Sequence, residues 1–422
     1  FECLVYPLLY SHTNMTEYSK PAERPEHRFF GFDHCLFYVS NALQAADYYT
    51  TKFGFDYYAY QGLETGSRNF VTHVVRKDNV FFGFRSPLNP NETAFGEFIT
   101  KHGDAVKDVA FTVEDCRAMF ETAVKRGATP VAEPHEEKDD NGSVILATVQ
   151  TYGDCVHTFV ERKGYNGIFL PGYKAHHKVQ PANDRFDDTK LLFIDHIVGN
   201  QPDAEMTPVA QWYEKILDFH RFWSVDDTQI HTEYSSLRSI VMTDFDRVIK
   251  MPINEPAKGK KKSQIQEYVE YNGGAGVQHI AISTPDIIAS VKSMKSRGLD
   301  FLTIPKTYYT NLRERLAKSP TKVKEDLAVI EELNILVDFD DNGYLLQIFT
   351  KPVQDRPTLF IEIIQRENHD VSTRRQSRCF GFLLFLFCTL PHLASPLLFW
   401  YNPTGTSSFQ PCFPLLYRFF VC

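Results

Sequence analysis

Two histidines and one glutamate stand at places in the sequence where a polar side chain is unexpected. His196 lies in FIDHIV, His279 in VQHIAI and Glu362 in LFIEII, and each segment reads as an apolar β-strand. A polar group in such a strand must be paired or must bind a ligand. Two imidazoles and one carboxylate on converging strands form a facial triad that leaves adjacent coordination positions open for substrate and O2. The three residues predict a metal site; zinc uses the same ligand types, so these types alone leave the metal undecided.

The sequence between residues 28 and 369 contains two similar halves, and 83 residues separate each triad member from the next. Each half has, in the same order, a strand with Asp-His and a helix, a strand–turn–helix–Gly–strand segment, and a strand entered through Gly. The matched segments are 32–55 with 194–219, 105–131 with 276–302, and 152–162 with 341–351. The repeat predicts an α+β fold in which each half consists of two βαβββ units. Such units curl into a half-open barrel with a ligand on the concave face.

Residues 164–190, between the halves, are rich in Gly, Pro, His and Asp and predict a linker. We therefore expect a first domain at residues 28–163 and a second, catalytic domain at residues 191–369. At the positions equivalent to the triad, the first half has His34, Asp108 and Pro171. Because it lacks the carboxylate, we assign the metal to the second half only and interpret His34 as a hydrogen-bonded strand residue.

The remaining chemistry-bearing residues show no site pattern. Five histidines are interpreted as loop or surface groups: His157, His176, His177, His220 and His231. No G-x-S-x-G, G-x-G-x-x-G or P-loop segment supports a hydrolase, dinucleotide or NTPase function. The net charge of −8 gives no indication of nucleic acid or of an anionic membrane as a partner. Eight cysteines without CxxC spacing favour a reducing, cytoplasmic location over a disulfide or zinc framework.

The two ends of the chain differ in character from the repeat. Residues 1–27 begin with Phe1 and are interpreted as an N-terminal extension that is partly non-native. Residues 370–422 form an aberrant hydrophobic tail whose uncharged run, 380–400, is long enough to span a bilayer but is interrupted by Pro391 and Pro396. We favour a translated intron over a membrane anchor, because the splice-donor sequence GTAAGT can encode the Val-Ser pair at 371–372.

Four motifs of the second half are long and specific. They are PINEP at 252–256, KSQIQEYVEYNGGAGVQHIA at 262–281, LQIFTKP at 346–352 and RPTLFIEIIQREN at 356–368. They resemble the 4-hydroxyphenylpyruvate dioxygenases, iron enzymes of the vicinal-oxygen-chelate superfamily, and the resemblance extends over about residues 29–369 in motif order. It implies two repeated vicinal-oxygen-chelate domains, Fe(II) held by the triad, and a homodimer. The family converts 4-hydroxyphenylpyruvate and O2 to homogentisate and CO2 in tyrosine and phenylalanine catabolism.

The resemblance also implies a substrate pocket around the triad. The matching pocket positions are Ser239, Asn254, Gln264, Gln278, Gln347, Phe349 and Phe360. Simple strand hydrogen bonding is an alternative role for Ser239 and Gln347, and a turn is an alternative for Asn254. For Gln278, which is next to His279, the alternative is a side chain outside the pocket, because adjacent strand residues point to opposite faces.

Three alternative functions stay open at this point. The first is 4-hydroxymandelate synthase, with the same substrate and ligands; the second is a glyoxalase-type metal isomerase; the third is an inactive binding protein of the same fold. Family members continue after residue 369 with a helix that covers the pocket, whereas this chain has the hydrophobic tail there. If the chain is made as printed, we expect weak turnover despite iron binding, because the lid that excludes water is replaced.

Overall fold

The computed structural model describes residues 16–17, 20–225, 236–257 and 262–368. Within these ranges, no helix is long and apolar enough to cross a membrane. The hydrophobic tail, the lysines at 258–261 and His231 all lie outside the described residues.

The described residues form two nine-stranded sheets, one for each half of the repeat. The short strand β1 (Thr16–Glu17) precedes both and joins the second sheet. The strands of the first sheet are β2 (Phe29–Tyr38), β3 (Asp56–Gln61), β4 (Phe70–Lys77), β5 (Val80–Pro87), β6 (Ala105–Val113), β7 (Pro130–Asp139), β8 (Gly142–Gln150), β9 (Val156–Glu161) and β10 (Lys174–Ala175). Its helices are α1 (Ala42–Phe53), α2 (Thr93–His102) and α3 (Cys116–Lys125). The strand order is β10-β3-β4-β5-β2-β6-β9-β8-β7.

The second sheet repeats this arrangement. Its other strands are β11 (Phe193–Asn200), β12 (His220–Val225), β13 (Ser236–Thr243), β14 (Lys250–Ala257), β15 (Gly276–Ser283), β16 (Leu336–Phe339), β17 (Tyr344–Phe349) and β18 (Phe360–Glu367). Its helices are α4 (Met206–Leu217), α5 (Gln264–Asn272), α6 (Ile287–Ser296), α7 (Lys306–Leu316) and α8 (Leu327–Leu333). The strand order is β1-β12-β13-β14-β11-β15-β18-β17-β16.

The pairing of the strands is the same in both sheets. The first strand of each βαβββ unit runs parallel to the last strand of its own unit, as β11 does with β14 and β15 with β18. The two units of a half then join through an antiparallel pair, β2 with β6 and β11 with β15. The predicted α+β fold, with two half-barrels that each contain two βαβββ units, is confirmed.

The apolar core of the second half lies between the outer face of its sheet and the helices. In β18, Ile361 and Ile363 are fully buried and belong to the same core as Val291 and Met294 of α6. Because successive strand residues point to opposite faces, Glu362 between these two isoleucines points to the inner, concave face. The alternation therefore puts the apolar side chains of β18 in the core on one face and Glu362 on the concave face.

The segment predicted as a linker, residues 164–190, is attached to the first half. Its strand β10 pairs with β3, and Leu170 and Tyr173 are buried in a cluster with residues of the first sheet. Near its end, Thr189 donates a hydrogen bond of 2.9 Å to the carbonyl of Phe53, at the end of α1.

The junction between the halves is tightly packed. His157 of β9 is fully buried, and its Nε2 lies 2.7 Å from the hydroxyl of Tyr213 in α4. The interpretation of His157 and His220 as loop or surface groups is wrong, since both are buried strand residues. A methyl group added at Gly199 would come 2.6 Å from the ring of Tyr152, so the first half lies directly behind β11.

Candidate metal centre and pocket

Strand pairing brings the predicted triad together. His196 of β11 lies opposite Ala281 of β15, and Ala281 lies beside Glu362 of β18. His279 is two residues before Ala281 on β15, which puts it on the same face. The concave face therefore presents the three side chains from three neighbouring strands.

The functional atoms of the triad converge. Nε2 of His196 and Nε2 of His279 each lie 3.3 Å from Oε2 of Glu362. Within the described part of the chain this is the one group of His, Cys, Asp or Glu residues able to hold a metal, with ligand atoms within 4.8 Å of one another. Oε1 of Glu362 is buried without a hydrogen-bond partner. An unpaired buried carboxylate oxygen is costly unless a cation balances it, so the residues fit a metal ion.

A β-bulge orients His196. The register shifts between Ile194 and His196, so that Asp195 is an extra residue on β11 and approaches its neighbour. Oδ1 of Asp195 lies 2.8 Å from Nδ1 of His196 and accepts its proton, which leaves Nε2 free for a metal. Arg366 then donates two hydrogen bonds to Asp195, of 2.9 and 2.8 Å. We call Asp195, His196 and Arg366 the second-half clamp.

A second register shift orients His279. Val198 lies opposite His279 and Gly199 lies opposite Val277, so Gln278 is the extra residue on β15. Oε1 of Gln278 lies 3.1 Å from Nδ1 of His279. Because of the shift, Gln278 supports the ligand ring from beside it rather than pointing away on the opposite face.

Electrostatics favour an ionised Glu362 and a neutral His279, whereas His196 has to release a proton when a metal binds. Burial would raise the pKa of Glu362, but the two imidazoles outweigh it and bring the pKa to about 2. Burial lowers the pKa of His279. Burial also acts to lower the pKa of His196, but Glu362 and Asp195 outweigh it and raise that pKa. An ionised carboxylate and imidazoles that can release a proton are the forms that bind a cation.

Aromatic rings flank the triad. The ring of Phe360 stacks on His279 at 4.8 Å between centroids, and Phe349 meets the same imidazole edge-on at 6.1 Å. Phe349 lies opposite Glu362 in the pairing of β17 with β18, so it shares the concave face. Gln347, two residues earlier on β17, points to that face as well.

Two polar residues, Ser239 and Asn254, lie on the concave face away from the triad, and a third, Gln264, lies on a helix that packs against the same strands. Ser239 of β13 lies opposite Asn254 of β14, and both are buried. Gln264 is the first residue of α5, which packs against β14, β11 and β15. The hydroxyl of Ser239, Oδ1 of Asn254 and Oε1 of Gln264 are buried without a hydrogen-bond partner in the described part of the chain. The three predicted positions therefore leave donor and acceptor capacity free.

The comparisons with known proteins agree with this geometry. Residues 193–357 match the family model described as "Glyoxalase/Bleomycin resistance protein/Dioxygenase superfamily". The 4-hydroxyphenylpyruvate dioxygenase of Danio rerio is 60% identical over 357 residues, which cover 84% of this chain and 90% of that protein. The enzyme of Sus scrofa is 51% identical over 366 residues, with 84% and 91% covered. The chain belongs to the 4-hydroxyphenylpyruvate dioxygenase family.

Solved structures share the fold of this family member. A triple mutant of 4-hydroxymandelate synthase from Streptomyces coelicolor superposes with a TM-score of 0.72 at 28% identity, over 85% of this chain and 97% of that chain. A xylose isomerase-like TIM barrel/4-hydroxyphenylpyruvate dioxygenase fusion protein gives a TM-score of 0.63 at 20% identity, over 87% and 53%. The second likeness supports the fold alone.

The first half of this dioxygenase-family chain has a different residue at the glutamate position than predicted. The pairing of β6 with β9 puts Thr158 beside Ala110, as Glu362 lies beside Ala281. Pro171 follows β9 and is not part of the sheet. The predicted equivalence of Pro171 is therefore wrong. The match of 152–162 with 341–351 is wrong as well, because it aligned β9 with β17, whereas the strand order makes β18 the counterpart of β9.

The first half retains the clamp without a metal triad. Asp33 is the extra residue of a bulge on β2, and its Oδ1 lies 2.7 Å from Nδ1 of His34. Arg162 donates to both oxygens of Asp33, at 2.7 and 2.8 Å. We call Asp33, His34 and Arg162 the first-half clamp. It confirms the interpretation of His34 as a hydrogen-bonded strand residue.

Sequence reasoning missed three residues of this family member's site. Asp195 belongs to an Asp-His pair that recurs as Asp33-His34 in the first half, so the repeat itself carried a signal that the aspartate orients the histidine. Arg366 lies four residues after Glu362, on the same side of β18, and its spacing could have suggested a partner. Asn200 ends β11 on the concave face, and no sequence pattern distinguishes it from a turn residue.

Proposed function

We propose that the chain is an iron(II)-dependent dioxygenase that converts 4-hydroxyphenylpyruvate and O2 to homogentisate and CO2 in tyrosine and phenylalanine catabolism. The observation that carries the proposal is the convergence of His196, His279 and Glu362 on the concave face. The relatives at 60% and 51% identity, whose names state this dioxygenase activity, support it.

Fe(II) is the metal that the family resemblance implies. Two imidazoles and one carboxylate would hold it on one side and leave adjacent positions open, which suits non-haem iron oxygenases. When bound, iron would bring a chelating 2-oxo acid and O2 together and supply the redox chemistry. The clamp and Gln278 keep both imidazoles oriented, and loss of such supporting groups typically weakens metal binding.

The pocket residues orient the substrate. Phe349 and Phe360 provide apolar faces next to His279, where an aromatic ring can lie without water. Gln347 offers an amide on the same face of the sheet. Holding the oxo acid at the metal and the ring between these side chains fixes the reacting carbons relative to O2.

The opposite side of the pocket suits the polar end of the substrate. Ser239, Asn254 and Gln264 have unpaired buried oxygens. A site with such groups favours a substrate that carries a hydroxyl, because an analogue without it leaves them unpaired. This supports a phenol as the far end of the substrate.

We extend the proposal to the organisation of the protein. The first domain comprises residues 28–163, a connecting segment residues 164–190 and the catalytic domain residues 191–369, between an extension at 1–27 and the tail at 370–422. The family resemblance implies a homodimer, and the cysteines without disulfide or CxxC spacing favour a cytoplasmic location. Light scattering of the purified chain would test the dimer, and a single-chain mass would contradict it.

The decisive experiment is anaerobic loading of the chain with Fe(II), followed by addition of 4-hydroxyphenylpyruvate and O2 and identification of the product. Homogentisate with stoichiometric CO2 is the expected result. 4-Hydroxymandelate would instead assign the synthase function. Isomerisation with zinc in the absence of O2 would indicate a glyoxalase-type enzyme, and tight binding without any product would indicate a binding protein.

A further inference from the structure

Three polar side chains form a row across three neighbouring strands of the second half. Ser239 of β13 lies opposite Asn254 of β14, and Asn254 lies beside Asn200 of β11. All three are buried, with exposed fractions of 0%, 1% and 0% in the order Ser239, Asn254, Asn200. We call these residues the polar row. The sequence resemblance covered two of its members and omitted Asn200.

Polar atoms of all three residues in the polar row have no hydrogen-bond partner among the described residues. Both amide atoms of Asn200, the hydroxyl of Ser239 and Oδ1 of Asn254 are buried without a hydrogen-bond partner in the described part of the chain. Buried polar groups in proteins are almost always hydrogen-bonded, because an unmade bond costs free energy. Side chains that cannot satisfy one another are expected to do so with a ligand.

The equivalent row of the first half shows that the fold itself does not require unpaired groups. There Thr72 lies opposite Arg85, and Arg85 lies beside Tyr38. Arg85 donates a hydrogen bond of 2.9 Å to the hydroxyl of Thr72 and one of 3.3 Å to Tyr173. At the same strand positions, the polar side chains hydrogen-bond to protein groups in the first half and have no such partners within the described residues of the second.

The polar row lies at a useful distance from the metal centre. Asn200 is four residues after His196 on β11 and points to the same face, about 13 Å along the strand at its usual rise. The ring of Tyr152 packs against Gly199 from behind, which holds this part of β11 in place. An aromatic oxo acid anchored by its acid end at the triad would direct the far end of its ring towards the row.

We propose that Asn200 is a specificity-determining residue that hydrogen-bonds the ring hydroxyl of the substrate together with Ser239 and Asn254. The inference rests on the proposed dioxygenase function. A carboxamide suits this role because it offers both a donor and an acceptor, so Asn200 can accept the phenol proton and donate to Asn254 at the same time.

The test compares two substrates in one variant. Asn200→Leu keeps the side-chain size but removes both polar atoms. We expect kcat/KM for 4-hydroxyphenylpyruvate to fall about 10- to 100-fold, and that for phenylpyruvate, which lacks the hydroxyl, to change less than about threefold. Calorimetric titration of the iron-loaded protein without O2 should show the same loss of affinity for the hydroxylated acid only. Ser239→Ala serves as the companion variant with the same expected pattern.

The outcomes separate the two proposals. If the wild type makes no product from 4-hydroxyphenylpyruvate, the proposed function fails, while selective binding of the hydroxylated acid without O2 still tests Asn200. If the wild type is active and Asn200→Leu lowers both substrates equally, Asn200 has a structural role and the inference is overturned. Unchanged discrimination between the substrates overturns it as well. The thermal unfolding temperature of the variant identifies a folding defect, and Asn200→Asp then provides the polar replacement for the same comparison.

Discussion

The two halves of the molecule have the same backbone plan but differ in what their concave faces can bind. Both contain a clamp in which an aspartate on a bulge orients a histidine and accepts two hydrogen bonds from an arginine. Both also share the register of the strands around it. The clamp and the barrel are therefore insufficient for metal binding.

The difference lies in two side chains on β6 and β9. In the first half, Thr158 donates a 2.5 Å hydrogen bond to Asp108, and its backbone NH donates another of 3.0 Å. In the second half the equivalent residues, Glu362 and His279, point their ligand atoms at a shared position. The first face satisfies its own polar groups, whereas the second keeps them available. Metal binding thus requires side chains whose ligand atoms are not already hydrogen-bonded to other protein groups.

The largest expected effect comes from removing a ligand in the second half. His279→Ala should abolish iron binding and turnover, because two remaining ligands no longer form a facial triad. Elemental analysis after dialysis and an oxygen-consumption assay measure both. The matched first-half variant, Asp108→Asn, should keep the wild-type iron content. Full iron occupancy in His279→Ala would show that the triad is not the metal site.

The converse experiment would give the first half a triad. Asp108→His combined with Thr158→Glu should raise the metal content from one to two ions per chain, because His34 is already oriented by its clamp. Metal titration followed by elemental analysis counts the ions, with Asp108→His alone as the control that should stay at one. If the double variant folds and still binds one ion, the two side chains do not account for the difference between the halves.

A smaller effect is expected from the clamps. Asp195→Asn should weaken iron binding about 10- to 100-fold, since groups that support a ligand histidine typically contribute that much. Asp33→Asn makes the same chemical change in the first half and should leave iron affinity unchanged. Competition with a chelator gives both affinities. Equal loss in the two variants would mean that the clamp acts through overall stability.

The last prediction concerns stability at the junction of the halves, and no change in metal binding is expected from it. Burial lowers the pKa of His157 to about 4. Between about pH 6.5 and pH 4, His157 is therefore protonated in the unfolded chain but neutral in the folded chain. Stability should therefore fall as the pH drops from about 6.5 to about 4, by roughly 3 kcal/mol from this residue. In His157→Gln this slope should be flatter. Urea unfolding at several pH values measures it, and an unchanged slope would contradict the assignment.

Much of the fold and of the metal site follows from the sequence because both depend on local patterns. The repeated strand–helix order predicted the two half-barrels, and the polar residues in apolar strands predicted His196, His279 and Glu362. The bulges at Asp195 and Gln278 could not be predicted, since they depend on the register between strands that are distant in the sequence. The false equivalence of Pro171 arose because β9 was matched with β17, and only the strand order of the folded sheets shows that β18 is its counterpart.

The burial of His157 and His220 could not be predicted from the sequence either. His157 stands in a short strand between Gly153-Asp154 and the charged residues Glu161, Arg162 and Lys163, so the sequence around it resembles that of an exposed group. Its burial depends on Tyr213, which comes from the other half and donates its hydroxyl proton. A contact between the two halves, such as that of His157 with Tyr213, produces no periodic pattern in the sequence of either half.

The contact of Tyr152 with Gly199 means that the catalytic half is not an independent module. At position 199 any side chain would collide with this ring, and on the other side of the same strand lie His196 and Asn200. A fragment that begins at residue 191 would retain every metal ligand but lose the surface behind β11. The first half, which lacks such a triad among its described residues, thus supports the catalytic half, and shortened or recombined chains should keep the two halves together.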